Sequence, residues 1–205
     1  IFGTGSIEKL GEETKQYGSR VLLVTRPWSK EEAPHFEKAK ALLEAAGLYV
    51  VVYDKVVPNP TTTTINEASE IVKAEKLDVV VGVGGGSTID TAKAVAVGAT
   101  HEGEAWDYVY SETKTADKNK TLPIIAVTTT SGTGSHVTKY AVFSNPDVKV
   151  KSTIVNEAVF PRVAIVDPDL LTSMDAFVTA TTGFDAFAHA FESYTNVNAN
   201  RFMDT

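Results

Sequence analysis

One stretch restricts the possible folds of this chain more than any other. Asp78 to Val83 reads DVVVGV, Gly84-Gly85-Gly86-Ser87 follows, and Thr88 to Gly98 reads TIDTAKAVAVG. The first run is short, valine-rich and nearly free of polar residues, which suits a strand covered on both faces. The last is alanine-rich and suits a helix. The glycines between them allow a sharp turn and a close approach of backbone to a ligand. Strand, tight turn and helix in succession form the repeating unit of parallel α/β domains.

The same alternation recurs along the chain. Arg20 to Thr25 (RVLLVT) predicts a buried strand. Ser29 opens a helix, with Glu32 completing a capping box, and Ala39, Leu42, Leu43 and Ala46 recur at helical spacing. Gly47 stands where a helix closes on a positive φ. Leu48 to Tyr53 (LYVVVY) predicts the next strand. Lys55 to Thr64 contains Pro58, Asn59 and Pro60 and reads as a loop. A helix carrying Ile65, Ala68, Ile71 and Val72 comes next. Residues 111–120 have no apolar stripe and read as a solvated loop. Leu122 to Val127 predicts a strand, and Tyr140 to Ser144 with Val148 to Thr153 predicts two strands around Asn145-Pro146-Asp147. Val163 to Val166 is a further strand, closed by Asp167-Pro168. Beyond it the pattern turns helical, from Met174 to Thr181 and, after a break at Gly183, from Phe184 to Tyr194. The expected architecture is therefore an α/β parallel-sheet domain over residues 1–168. The beginning of an all-helical second domain is expected over residues 169–205.

Composition narrows the function. Among 205 residues, 19 Lys and Arg face 26 Asp and Glu, a formal net charge of −7. An acidic chain lacks the basic face that nucleic-acid binding needs. No run reaches membrane-spanning length and no basic-then-apolar leader opens the sequence, so no membrane partner is expected. With no cysteine, disulfides, thiolate metal sites and cysteine nucleophiles are excluded, and a cytoplasmic location is expected. The chain starts at Ile1, and the run Arg201 to Thr205 carries no stop signal, so both ends are expected to continue.

Three features carry chemistry. Gly84 to Ser87 lies between a strand and a helix, where unpaired N–H groups and the helix dipole suit a phosphate. It is not a Walker A loop, since no Gly-Lys-Ser/Thr occurs. As a dinucleotide fingerprint, Gly82-x-Gly84-x-x-Ser87 lacks the third glycine; the alternative is a tight turn with no ligand. The second feature is Thr128 to Ser135 (TTTSGTGS), which presents six hydroxyls after a strand. Loops after parallel strands gather at one edge of a sheet, where ligands bind; the alternative is a flexible polar connection. The third is Asp185 and His189, four residues apart and so on one helix face. A carboxylate and an imidazole can share a divalent ion, although two ligands are fewer than such a site needs; the alternative is an N-terminal carboxylate and a structural histidine.

Together, and in this order, these features resemble the iron-containing (group III) alcohol dehydrogenases, kin to glycerol dehydrogenase and dehydroquinate synthase. The matching stretches are GVGGGSTIDTAKAVA at 82–96, LPIIAVTTTSGTGSHVTKYAVFSN at 122–145, PRVAIVDPDLL at 161–171 and TGFDAFAHAFESY at 182–194, with Phe2-Gly3-Thr4-Gly5 resembling the family's early turn. The resemblance implies an NAD(P)-dependent alcohol or aldehyde oxidoreductase that moves hydride between nicotinamide C4 and the carbinol carbon of a small alcohol. It implies a cofactor domain followed by a helical domain, and a homodimer. By that resemblance Gly85, Gly86 and Ser87 hold the pyrophosphate. Thr129, Thr130 and Thr133 line the phosphate and nicotinamide-ribose side. Asn59 meets the adenosine, and Thr138 and Lys151 make further cofactor contacts. A cation at Lys151 also suits ribose hydroxyls or phosphate on charge alone, though an exposed strand lysine is the simpler reading. Asp185 and His189 match the first two ligands of a metal, Fe²⁺ or in some members Zn²⁺, whose other ligands come from further along the helical domain. The pair is also the expected catalytic pair.

Two departures stand out. Many family members carry Asp at the end of the first strand, where it accepts from the adenosine ribose; here Thr25-Arg26-Pro27 stands there. An arginine pairs with a 2′-phosphate that a carboxylate would repel, so NADP(H) is expected over NAD(H). The second is His136, where the family usually has Glu, a replacement expected to loosen the loop or change its partners. Phe187 and Phe191 are expected in the core. The competing readings are a non-catalytic nucleotide-binding module and an enzyme of the glycerol dehydrogenase or dehydroquinate synthase type.

Overall fold

The computed structural model describes residues 1–29, 33–197 and 199. In chain order the elements are α1 (Leu10–Lys15), β1 (Arg20–Val24), α2 (Pro34–Ala45), β2 (Tyr49–Tyr53), α3 (Thr62–Glu75), β3 (Val79–Gly84), α4 (Gly86–Gly98), β4 (Ile124–Thr128), β5 (Tyr140–Asn145), β6 (Val150–Val155), β7 (Val163–Val166), α5 (Pro168–Leu171) and α6 (Ala176–Thr195). Short 3₁₀ turns occur at Ser6–Lys9, Ala105–Tyr108, Ser135–Val137 and Glu157–Val159.

Five strands pair in the order β2-β1-β3-β4-β7, every pairing parallel. This is the doubly covered sheet that the continuous apolar runs predict. Side chains alternate across a strand, so β1 sends Val21 and Leu23 to one face and Leu22 and Val24 to the other. The first pair packs with Ile7, Leu10, Phe36 and Leu43, the second with Ile65, Val72 and Val95. β3 is central and buried along its whole length. β5 and β6 form a separate antiparallel hairpin packed over α4. That helix is thus enclosed by sheet and hairpin, so that all but two of its thirteen residues are buried, polar ones included. Asp167, at the end of β7, accepts from Gly5 N at 3.1 Å, Ile7 N at 3.2 Å and Asp169 N at 3.1 Å. It ties the early turn to the far edge of the sheet.

Several boundaries differ from the sequence expectation. The helix expected from Ser29 begins at Pro34, whose fixed φ suits a first helical position; Glu32 lies outside the described residues, as does Arg201 to Thr205. Gly47 closes α2 at φ +83°, as expected. The loop read over Lys55 to Thr64 ends at Thr61, whose Oγ1 accepts from Thr64 N and starts α3. Proline governs only its own neighbourhood, and threonine is a good cap. α4 starts at Gly86, two residues before Thr88. Gly183 does not break the last helix: α6 runs through it for 20 residues. A mid-helix glycine costs only about 1 kcal/mol, and nothing within 4 Å crowds this one. Phe187 and Phe191, expected in the core, are 62% and 57% exposed beside Phe184 at 70%. The three rings form a row, with centroids 6.1 and 6.3 Å apart. Among the described residues no helix is long and apolar enough to cross a membrane.

Candidate functional site

Parallel strands align their carboxyl ends, so the loops after β1, β3 and β4 meet at one edge. β1 lies between β2 and β3, the point where successive strands change direction across the sheet and ligands bind. Gly84 turns there at φ +155°, and a Cβ on it would stand 2.5 Å from Thr88 Oγ1. Thr129 N donates to Gly84 O at 3.0 Å, which joins the two loops. A Cβ on Gly85 would stand 3.1 Å from Thr130 Oγ1, and one on Gly86 2.6 Å from Thr133 Cγ2. A side chain on Gly86 would force the hydroxyl loop to shift, and one on Gly85 would crowd it. No side chain caps the N-terminus of α4, so its first N–H groups are available to an anion. This is the observation that fits a pyrophosphate.

The turn divides two clefts. One, of about 450 Å³, is lined by Arg26, Phe36, Pro58, Thr129, Thr130 and Val178 among others. The other, of about 500 Å³, is lined by Asn59, Asp90, Thr138, Lys151, Asp185 and His189 among others. Gly86, Ser87 and Thr133 border both. The sequence-predicted residues thus all reach this edge, in two compartments. Asn59 stands in the compartment of Asp185 and His189, not in that of Arg26. Its backbone, at φ +57°, donates to Ser87 Oγ at 3.3 Å, and its Oδ1 accepts from Lys151 Nζ at 2.7 Å. Left-handed backbone is tolerated by Asn better than by most residues. Lys151 is therefore tied to the cleft rather than pointing idly from its strand.

Arg26 follows β1. Its Nη1 donates to Pro27 O at 2.8 Å, and its guanidinium lies 5.5 Å from the Phe36 ring centroid. His35 lines a neighbouring hollow with Arg26, Thr129 and Thr130. Burial and the Arg26 charge hold its pKa below the ordinary 6.5.

Asp185 Oδ1 and His189 Nε2 are 3.8 Å apart on one face of α6. One oxygen and one nitrogen donor fit half of a divalent-metal site; among the described residues no group of three or more such donors forms.

Two residues escaped the sequence reading. Lys93 is fully buried. Its Nζ donates to Ser135 O at 2.6 Å, Tyr140 O at 2.7 Å and Thr138 O at 2.8 Å. Burial pushes it down to about 8, opposed by Asp90. Asp90 Oδ1 accepts from Ser135 Oγ at 2.6 Å, and burial raises its pKa against the pull of Ser135 and Lys93. The available signal was the presence of two charges in a helix of otherwise small, hydroxyl-bearing and apolar residues. The stretch that carries His136 is held from beneath by Lys93. Burial, and after it the Lys93 charge, holds the His136 pKa below the ordinary 6.5.

Comparison with known proteins bears on this geometry. The family model for iron-containing alcohol dehydrogenases matches residues 1–168. The chain is 42% identical over 203 residues to the choline dehydrogenase of Bacillus subtilis (strain 168), covering 98% of this chain and 50% of that protein. It is 37% identical over 205 residues to the NAD-dependent methanol dehydrogenase of Bacillus methanolicus, covering 100% of this chain and 53% of that one. Among solved structures, an archaeal halo-thermophilic alcohol dehydrogenase from a Red Sea brine pool superposes with a TM-score of 0.90 at 47% identity. That match covers 95% of this chain and 50% of the other. The chain spans about half the length of the curated relatives it matches.

Proposed function

Because this chain belongs to the iron-containing alcohol dehydrogenase family, we propose that it supplies the nicotinamide-cofactor site and half the metal site of an alcohol–aldehyde oxidoreductase. The observation that carries this reading is the shared wall: Gly86, Ser87 and Thr133 border both clefts. A dinucleotide lying over that wall has its pyrophosphate on the uncapped end of α4, its adenosine beside Arg26 and its nicotinamide beside Asp185 and His189. Residues 1–168 then form the cofactor domain, and residues 169–205 open the helical metal and substrate domain.

Each residue has a task in this reading. The α4 N–H groups offset the pyrophosphate charge, and Gly85 and Gly86 let the phosphates approach the backbone. Thr129, Thr130 and Thr133 offer hydroxyls along the same path. Asn59 and Lys151 act as a pair on the nicotinamide-ribose side, since they share the compartment of Asp185; this replaces the adenosine role expected for Asn59. Thr138, held by the Lys93 carbonyl clamp, faces that side as well. Arg26, with His35 nearby, pairs with a 2′-phosphate, which favours NADP(H); without a 2′-phosphate, the same cleft takes NAD(H). Asp185 and His189 hold the metal, Fe²⁺ or Zn²⁺, as two of its ligands and so act as the catalytic pair. Bound at this site, the nicotinamide would supply hydride chemistry at C4 and the metal Lewis-acid polarisation of the oxygen of a small alcohol or aldehyde. A cytoplasmic homodimer completes the reading. It is supported by the absence of cysteine and by Phe2, exposed beside the β7 edge.

The test uses the complete protein that carries this sequence, loaded with Fe²⁺ and offered short primary alcohols and diols with NADP⁺ or NAD⁺. Alcohol-dependent formation of reduced nicotinamide is expected, with loss of turnover but retained cofactor binding in Asp185→Ala. Cofactor binding without turnover on any alcohol would favour a nucleotide-binding module, and turnover without net cofactor reduction a lyase of the dehydroquinate synthase type.

A further inference from the structure

We infer that Gly132 is a positioning residue for the metal pair: its carbonyl sets the His189 ring, and its lack of a side chain makes room for Asp185. The inference rests on the metal-dependent reading above and concerns a residue to which that reading gives no role.

His189 Nδ1 lies 3.3 Å from Gly132 O, across 57 residues of sequence. A carbonyl oxygen only accepts, so Nδ1 carries the hydrogen in this contact, and in the neutral ring Nε2 then keeps its lone pair. Nε2 is the atom that lies 3.8 Å from Asp185 Oδ1. A histidine ligand commonly donates its second ring nitrogen to a backbone carbonyl, which fixes tautomer and orientation. Gly132 therefore presents the pair in the form a cation requires.

The steric half of the argument is independent. A Cβ on Gly132 would stand 3.0 Å from Asp185 Oδ2 and 2.9 Å from Thr182 O. The Asp185 carboxylate can turn away, at the expense of its ligand geometry. Thr182 O is helix backbone and cannot. A side chain at 132 must push the loop off α6 and stretch the bond to His189. Gly132 also sits between Thr130 and Thr133, whose hydroxyls line the nucleotide cleft. The loop thus faces the cofactor with side chains and the metal pair with backbone.

The test measures Zn²⁺ affinity of the complete, metal-stripped protein by competition with a chromophoric chelator, and NADPH affinity by fluorescence. Gly132→Ala is expected to weaken Zn²⁺ binding by about tenfold while NADPH affinity stays within about twofold, the factor by which single contacts vary with context. Ser131→Ala, its exposed neighbour, should change neither. Zn²⁺ binding as tight in Gly132→Ala as in the wild type overturns the inference, and so does equal loss of both ligands. A measurement on the wild type needs no variant to fold: long-range ¹H–¹⁵N ring correlations should show His189 protonated at Nδ1, and an Nε2–H ring overturns the inference. The two readings fail differently. No Zn²⁺ binding by the wild type sinks the metal site itself, whereas wild-type binding that is lost in Asp185→Ala but unchanged in Gly132→Ala sinks only the role of Gly132.

Discussion

Lys93 donates to the Ser135 carbonyl at 2.6 Å across 42 residues of sequence, and so joins the glycine-turn helix to the hydroxyl loop. All three ammonium protons reach backbone oxygens, because Thr138 O and Tyr140 O complete the set. The far end of the loop that follows β4 is therefore gathered by one buried cation, alongside the Thr129–Gly84 and Ser135–Asp90 hydrogen bonds.

Lys93→Met keeps the stem of the side chain and removes the clamp. Three carbonyls lose their donor and Asp90 loses a neighbouring positive charge, at a cost of roughly 3 kcal/mol. For a chain of this size that corresponds to a fall in Tm of about 6–12 °C. Thermal denaturation measures it. A fall of less than about 2 °C, within the range of neutral surface substitutions, would show the clamp to be dispensable. NAD(P)H affinity should fall as well, because Thr138 moves with the loop.

Gly86→Ala tests the wall between the clefts. Its Cβ would stand 2.6 Å from Thr133 Cγ2, 2.8 Å from Thr133 Oγ1 and 3.0 Å from Thr133 Cβ. Rotating the threonine cannot relieve all three contacts, so the loop must move away from the turn. NAD(P)H dissociation constants from fluorescence titration should rise about tenfold, equivalent to about 1.4 kcal/mol. An unchanged constant would mean that the phosphates do not cross this wall.

Arg26→Asp should invert cofactor preference in the complete enzyme. A charge-assisted pair with a 2′-phosphate contributes about 1.5–3 kcal/mol, so kcat/KM with NADP⁺ should drop by about one to two orders of magnitude, while that with NAD⁺ changes little. A wild type that strongly prefers NAD⁺ would refute the assignment at the outset.

Acidification should destabilise the fold through His35 and His136. Burial and nearby cations hold both below the ordinary 6.5. As pH falls through 6.5 the unfolded chain takes up these protons while the folded one does not, so the equilibrium shifts toward unfolding. Their contribution is complete above 6.5 and shrinks until pH reaches the folded values. Asp90, with its raised pKa, acts in the opposite sense, so the informative quantity is a difference between variants. Urea midpoints at about pH 7.5 and about pH 5.5 should converge in His136→Gln relative to the wild type. An identical pH slope in the two proteins would remove His136 from the account.

Much of the site was legible in one dimension because its chemistry is local. Gly85, Gly86 and Ser87 stand at a strand-to-helix turn, and Asp185 and His189 are one helical turn apart; both follow from short-range geometry. Lys93 was not legible as a clamp, since its three acceptors lie more than forty residues away. The grouping of Asn59 with Lys151 was hidden for the same reason: 92 residues separate them. Boundaries erred where a local signal was given too much weight. Gly183 weakens a helix without ending it, and the proline loop stopped at a threonine cap.

By itself, the sequence determined the parallel α/β architecture, the glycine turn and the Asp–His pair, because apolar period, turn chemistry and helical spacing act over a few residues. The tertiary structure alone decided that the clefts share one wall, that Lys93 holds the hydroxyl loop and that Gly132 meets His189. Those relations depend on how β3, β4 and α6 are brought together, and contacts between distant segments leave no periodic trace along the chain.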